Sequence, residues 1–183
     1  MNLEKNKPTK IFLIGQSGSG KTTLGKKLSA KLKFDFLDTD EYIINKFDSS
    51  ISEIFKSKGE LFFRNEEKKI LDSLKNKVNI VVATGGGLPE INDSFEMMQD
   101  KGLVIWIKSS PSEIEKRLIN SNRGHRPLLF NNELSLIENL ETQLEKRYDV
   151  YSKADLIIVN DNIDEAETIE MILEELKNYE WSN

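Results

Sequence analysis

The sequence predicts an α/β fold in which a five-stranded parallel sheet is flanked by helices, giving three layers. Three observations carry this expectation. Short apolar runs alternate with amphipathic helical stretches along almost all of the 183 residues, as a parallel sheet with crossover helices requires. The first apolar run passes directly into a glycine-rich turn and then a basic helix. A chain of this length is enough for one well-buried domain, 1–183, and no internal repeat or low-complexity linker divides it.

Taken in order, strands are expected at 11–14 (IFLI), 34–37 (FDFL), 78–83 (VNIVVA), 103–107 (LVIWI) and 156–159 (LIIV), each an apolar run of strand length. Helices are expected between them at 22–32, 60–74, 111–119, 134–148 and 164–176, where apolar residues recur at helical spacing and charges fill the outer faces. A shorter helix, 41–47, follows the second strand. The one stretch that reads as an extended loop inside the domain is 120–132, containing SNRGHRPLLFNN, and it is expected to be a mobile lid.

Composition narrows the function classes. With 31 acidic against 26 basic side chains, the net charge of -5 repels nucleic acid and anionic lipid over most of the surface, so an anion must be bound locally. Neither nucleic acid nor a membrane is an expected partner. The chain has no cysteine, which excludes disulfides and thiolate metal sites. The segment MNLEKNKPTK lacks the apolar core of a secretion signal, and no apolar run approaches the roughly 18 to 20 residues of a membrane span. A cytoplasmic monomer acting on small molecules is the expectation.

The glycine-rich turn reads Gly15-Gln16-Ser17-Gly18-Ser19-Gly20-Lys21-Thr22 and fits GxxxxGK[ST] between a strand and a helix, the context that gives this motif its meaning. Gly15, Gly18, Ser19 and Gly20 let successive N–H groups point inward at phosphate, and Lys21 reaches the outer phosphates. Thr22 offers its hydroxyl to Mg²⁺, and Thr23, which also continues the helix, is counted with the nucleotide-binding residues. This is a phosphate-binding loop of the three-layer P-loop NTPase kind, and it leaves switches, motors, ligases and kinases open.

The remaining motifs choose among them. Motors and GTPases hold Mg²⁺ with an acid at the end of a second apolar strand, but 78–83 runs into Thr84-Gly85-Gly86-Gly87 and 103–107 into Lys108-Ser109. Asn45-Lys46-Phe47-Asp48 matches a guanine-reading NKxD, but it follows the second strand rather than a late one. The second strand ends Asp38-Thr39-Asp40, placing two carboxylates at the sheet edge where open α/β sheets bind ligands. One carboxylate suits a metal-bound water and the other an attacking hydroxyl; equally, either caps the next helix.

Six segments in order, GQSGSGKTT, FLDTDEYI, ISEIFKSKGELFFRNEE, VVATGGGLP, RGHRPLL and LEKRYDVYSKAD, resemble shikimate kinases over nearly the whole chain. The resemblance implies a nucleoside-monophosphate-kinase fold and transfer of the ATP γ-phosphate, with Mg²⁺, to the 3-hydroxyl of shikimate. It implies that Asp40 contacts the reacting hydroxyl and that Asp38 lies near the metal. Arg64 and Arg147 would hold the substrate carboxylate, Gly85, Gly86 and Gly87 would wall the ring site, and Arg126 would reach over the phosphates from the lid. Lys21, Asp40 and Arg126 would carry the chemistry. Arg123 is assigned to the nucleotide, with Arg117 the other candidate for the adenine contact. Planar guanidinium groups suit a carboxylate, and glycine lets backbone close on a ligand; by spacing alone, Arg64 and Arg147 lie on helices where arginines face water. Glu67 stands where it orients Arg64 at i, i+3 or is a surface acid. His125, the only histidine, reads as a solvated loop residue, and Asn160, Asp161 and Asn162, following the last strand, are expected to edge the adenine by backbone contacts. The alternatives are a kinase for another hydroxy acid such as gluconate, and a nucleotide-binding module without turnover.

Overall fold

A computed structural model describes residues 9–120 and 134–179. Five strands, β1 (Lys10–Ile14), β2 (Asp35–Asp38), β3 (Ile80–Ala83), β4 (Leu103–Lys108) and β5 (Leu156–Val159), form one sheet in the order β2-β3-β1-β4-β5. All neighbours are parallel. The central strand pairs with β3 on one side (Leu13 beside Ala83) and β4 on the other (Leu13 beside Ile105). Its carboxyl end is therefore the point where the strand order reverses, and the crevice that ligands occupy in such sheets opens there.

Alternation along β1 divides the core. Phe12 and Ile14 face one layer with Val82, Val104 and Trp106, against Leu71, Phe95, Met98 and Tyr151. Ile11 and Leu13 face the other with Val81 and Ile105, against Leu24, Leu28, Ile169 and Ile172. Both faces of the strand are buried, so β1 reads as an unbroken apolar run.

The second layer is built by α1 (Lys21–Leu32) and α8 (Glu165–Asn178), the first by α5 (Ser94–Lys101), α7 (Leu136–Tyr151) and the end of α4 (Glu60–Ser73). A satellite core of Ile43, Ile54, Phe63 and Ile70 joins α2 (Thr39–Phe47), α3 (Ile51–Lys58) and α4 into an arm beside the edge strand β2. The helix α6 (Pro111–Asn120) packs on α7 through Ile114 and Leu140.

Several boundaries differ from those expected for a physical reason. Asp38 caps α2, so that helix begins at Thr39 rather than 41. β3 begins at Ile80 because Asn79 adopts φ 54 and gives its carbonyl to Asp35 N–H, while Val78 stays exposed. A capping box between Ser135 and Glu138 starts α7, which runs on to Tyr151. The helices α3 and α5, eight residues each, were not expected; α3 is fixed by a capping box between Ser50 and Glu53. The expected lid, 120–132, lies outside the described residues except for Asn120, and with it Arg123, His125 and Arg126. Among the described residues no helix is long and apolar enough to cross a membrane.

Candidate active site

The glycine-rich turn leaves β1 at Gly15, whose φ of 137 and whose distance of 2.5 Å from an added Cβ to the Ile107 carbonyl leave no room for a side chain. Gly18 and Gly20 also take positive φ, so the loop curls without strain before α1 begins. Buried Lys21 donates to the carbonyls of Gly15 and Gln16, both at 2.7 Å, and is held over the loop it serves. Behind the loop, Ser19 O accepts from Asn160 Nδ2 (2.9 Å) and from Arg117 Nη1 (3.3 Å), and Arg117 Nη2 donates to Asn160 O. The Gln16 side chain donates to Leu140 O and ties the loop to α7. The loop is thus braced from β5, α6 and α7.

Asp38 serves two elements at once. Its Oδ1 accepts from the N–H groups of Asp40 and Glu41 (2.9 and 3.1 Å), while its Oδ2 accepts from Thr22 Oγ1 at 2.6 Å. Capping by one oxygen leaves the other facing the motif threonine, so the cap does not exclude the metal reading of this acid. Asp40 is not the cap; it stands in the first turn of α2 with its carboxylate turned to the glycine turn after β3.

That turn, Gly85-Gly86-Gly87, meets a different group at each residue. A Cβ on Gly85 would lie 2.6 Å from Asp40 Oδ1 and 2.6 Å from Glu67 Oε1. One on Gly86 would lie 3.3 Å from both Gly15 O and Ser17 N of the phosphate loop, and 3.4 Å from Arg147 Nη1. One on Gly87 would lie 2.8 Å from Arg64 Nη2. Only bare backbone brings the acids, the loop and both arginines this close. Thr39 Oγ1 accepts from Gly85 N–H, and Tyr151 donates its phenol hydrogen to Gly86 O at 2.5 Å, so the turn is held from both sides. Burial pushes the Tyr151 phenol well above its ordinary range, which keeps it a donor.

Glu67 is fully buried. Its Oε2 accepts from Arg64 Nη1 at 2.8 Å, and its Oε1 has no hydrogen-bond partner among the described residues. Burial raises its carboxyl to about 7, against the pull of Arg64 and with a further push from Asp40. Arg64 also donates from Nε and Nη2 to Glu60 Oε1 (3.1 and 2.9 Å), and its guanidinium lies over the rings of Phe63 and Phe55. Arg147 donates from Nε to Glu90 Oε2 (2.7 Å) and from Nη1 to Gln143 Oε1 (3.3 Å). These groups and the phosphate loop line one cleft of about 2060 Å³, more than the roughly 300 to 1,000 Å³ that one small ligand takes.

Known proteins share this sequence pattern. The family model for shikimate kinase matches residues 17–177. The chain belongs to the shikimate kinase family. A shikimate kinase of Clostridium botulinum (strain Okra / Type B1) is 41% identical over 156 residues, covering 85% of this chain and 90% of that protein. One from Chloroherpeton thalassium is 36% identical over 183 residues, covering 97% of each. Among solved structures, shikimate kinase from Acinetobacter baumannii in complex with shikimate superposes with a TM-score of 0.86 at 28% identity, covering 95% of each chain.

Within this family member the structure brings Lys21, Thr22, Asp38, Asp40, Arg64, the three glycines and Arg147 to one cleft, and Thr23 and Arg117 line it as well. Arg64 and Arg147 turn inward: their side chains are only 19% and 16% exposed. Arg117 lies against the phosphate loop, whereas Arg123 and Arg126 fall outside the described residues. Asn160 turns its side chain to the loop and to Thr168. Sequence reasoning missed Tyr151, Glu60 and Glu90. Tyr151 sits four residues after Arg147, and that helical spacing was the available signal; Glu90 meets Arg147 across 57 residues, beyond any local pattern.

Proposed function

We propose that this chain is an ATP-dependent kinase that phosphorylates the 3-hydroxyl of shikimate, giving shikimate 3-phosphate and ADP in chorismate biosynthesis. The observation that carries the reading is the joining, in one cleft of a shikimate kinase family member, of a phosphate loop at one end and two guanidinium groups at the other, with an acid and bare backbone between them. The chain works as one domain with 120–132 as its lid, as a cytoplasmic monomer.

Phosphoryl transfer asks the protein mainly to position and to neutralise. The loop N–H groups and the start of α1 cradle the phosphates of ATP, and Lys21, poised on the loop carbonyls, extends to the outer ones. The donor set at the loop fits Mg²⁺: the Thr22 hydroxyl and the Asp38 carboxylate are hard oxygens 2.6 Å apart, and this ion takes only one or two protein oxygens beside phosphate and water. Bound there, Mg²⁺ neutralises charge on the transferring group. Arg64 and Arg147 grip the acceptor carboxylate, and the glycine turn lets the ring lie against backbone. Asp40 accepts the proton that leaves the 3-hydroxyl as its oxygen attacks the γ-phosphorus. By family likeness, Arg126 closes over the phosphates from the lid.

ADP release should be measured with ATP and Mg²⁺ across shikimate, gluconate, a nucleoside monophosphate and no acceptor. Turnover with shikimate at least a hundredfold above the others is expected. Equal or faster turnover with gluconate would favour the other hydroxy-acid kinase, and ATP binding without turnover on any acceptor would make the chain a binding module.

A further inference from the structure

The clamp proposed for the acceptor carboxylate is already in contact with carboxylates of the chain itself. Glu67, Glu60 and Glu90 together meet Arg64 and Arg147, so three acids face two guanidinium groups. Among the described residues, these carboxylates offset most of the charge of the two guanidinium groups. The three acids are not equivalent. Glu67 is fully enclosed and fixed beneath Arg64. The Glu60 side chain is 68% exposed and that of Glu90 34% exposed, and both line the cleft.

Their placement makes them replaceable. Glu60 is the first residue of α4, after Gly59, which supplies no side-chain cap, and among the described residues its side chain is paired with Arg64 at i, i+4. Glu90 closes a short 3-10 turn, Leu88–Glu90, directly after the glycine wall. Exposed ion pairs of this kind contribute little and are readily exchanged, whereas an enclosed pair is not. Yet each acid is tethered beside its arginine, so its effective concentration there is on the order of millimolar or higher. A simple anion in solution competes poorly against such a neighbour.

We propose that Glu60 and Glu90 are built-in, displaceable ligands of the acceptor clamp, which weaken its grip on any carboxylate so that only a molecule also held at the ring site displaces them. This deepens the reading of the site as a shikimate kinase and rests on it. An acceptor that also engages Asp40 and the glycine turn exchanges its carboxylate for theirs. A bare carboxylate or inorganic anion lacks those contacts and stays out. The product carries the same carboxylate, so the returning glutamates also speed its departure.

The test uses Glu60→Gln, Glu90→Gln and the double variant, which keep shape and remove charge. The KM for shikimate is expected to fall roughly two- to fivefold in each, the range an exposed pair supports, and further in the double variant. The dissociation constant of cyclohexanecarboxylate, measured by calorimetry, should fall in parallel, and KM should become more sensitive to salt. The KM values for ATP and for the methyl ester of shikimate, which brings no carboxylate, should not move. An unchanged or raised KM for shikimate overturns the proposal, because the glutamates would then be idle or would serve to orient the arginines. An equal fall for the methyl ester overturns it too, since charge exchange would not be the cause. If the wild type fails to phosphorylate shikimate, the functional reading fails, while the cyclohexanecarboxylate arm still decides the exchange.

Discussion

The two ends of the cleft are built from different materials. At the nucleotide end the binding groups are mainly backbone N–H groups, fixed by glycine geometry and braced by Asn160, Arg117 and Gln16. At the acceptor end they are side chains, two arginines and two acids, held by ion pairs that a ligand can replace. Backbone cannot be re-partnered without moving an element, whereas a guanidinium can trade one carboxylate for another at little cost. On the proposed function, the nucleotide end is a rigid cradle and the acceptor end works by exchange. Between them the glycine turn touches both, with Gly86 near the loop and Arg147 and Gly87 near Arg64.

If this contrast holds, changes at the acceptor end should leave ATP binding alone. The largest effect is expected from Asp40→Asn, which keeps size but removes the proton acceptor: kcat should fall by roughly 10² to 10⁴ with ATP affinity retained. A variant turning over at the wild-type rate would reduce Asp40 to a residue of the helix start. Next, Arg64→Ala or Arg147→Ala removes a charge-assisted contact worth about 1.5 to 3 kcal/mol, roughly ten- to a hundredfold in acceptor affinity. Titrations with each ligand separately check whether ATP affinity moves as well, which would break the division between the ends.

The Glu67 carboxyl gives the acceptor end a dependence on pH. Its value of about 7 in the fold stands above the ordinary 4.5, so between those values the native state keeps a proton that the unfolded chain has released. The stability this group contributes is complete below about pH 4.5 and is lost as pH rises through about 7. Binding should run the same way, because the charge that ionised Glu67 adds beneath Arg64 offsets the guanidinium that grips the acceptor carboxylate, so the acceptor KM should rise severalfold as pH rises through 7. In Glu67→Gln both profiles should flatten; a KM profile that keeps its shape would mean that another group sets it. Smallest of all, Tyr151→Phe frees Gly86 O from its donor and should cost roughly 0.5 to 1.5 kcal/mol, read as a severalfold rise in acceptor KM beyond any change in melting temperature.

The same contrast explains what was legible in the sequence. The phosphate loop is a local object: glycines, lysine and threonine lie within eight residues directly after an apolar strand, so spacing alone locates it. The sheet was legible for the same reason, since buried parallel strands are unbroken apolar runs. Asp38 stayed ambiguous because capping and metal binding use the same oxygen chemistry; in the fold one oxygen caps α2 and the other accepts from Thr22. The acceptor end depends on contacts far apart in the chain. By spacing, Arg64 and Arg147 belong to solvent-facing helices, and only likeness to a family turns them inward. Nothing local pairs Glu90 with Arg147 or Tyr151 with Gly86, which lie 57 and 65 residues apart. The helix α3 was readable in principle, because Ser50 and Glu53 spell a capping box; α5 has no side-chain cap hydrogen bond to announce it.

The most direct test of a two-ended cleft is the chemistry of its product. Purified chain with ATP, Mg²⁺ and shikimate should be followed by mass spectrometry and phosphorus NMR, alongside the Arg64→Ala, Arg147→Ala double variant. A monophosphate ester at the 3-hydroxyl is expected, formed one-to-one with ADP by the wild type, with little of it in the double variant at the same shikimate concentration despite unchanged ATP affinity. ADP formed without a phosphorylated acceptor, or a double variant that makes the ester as readily as the wild type, would contradict a two-ended cleft.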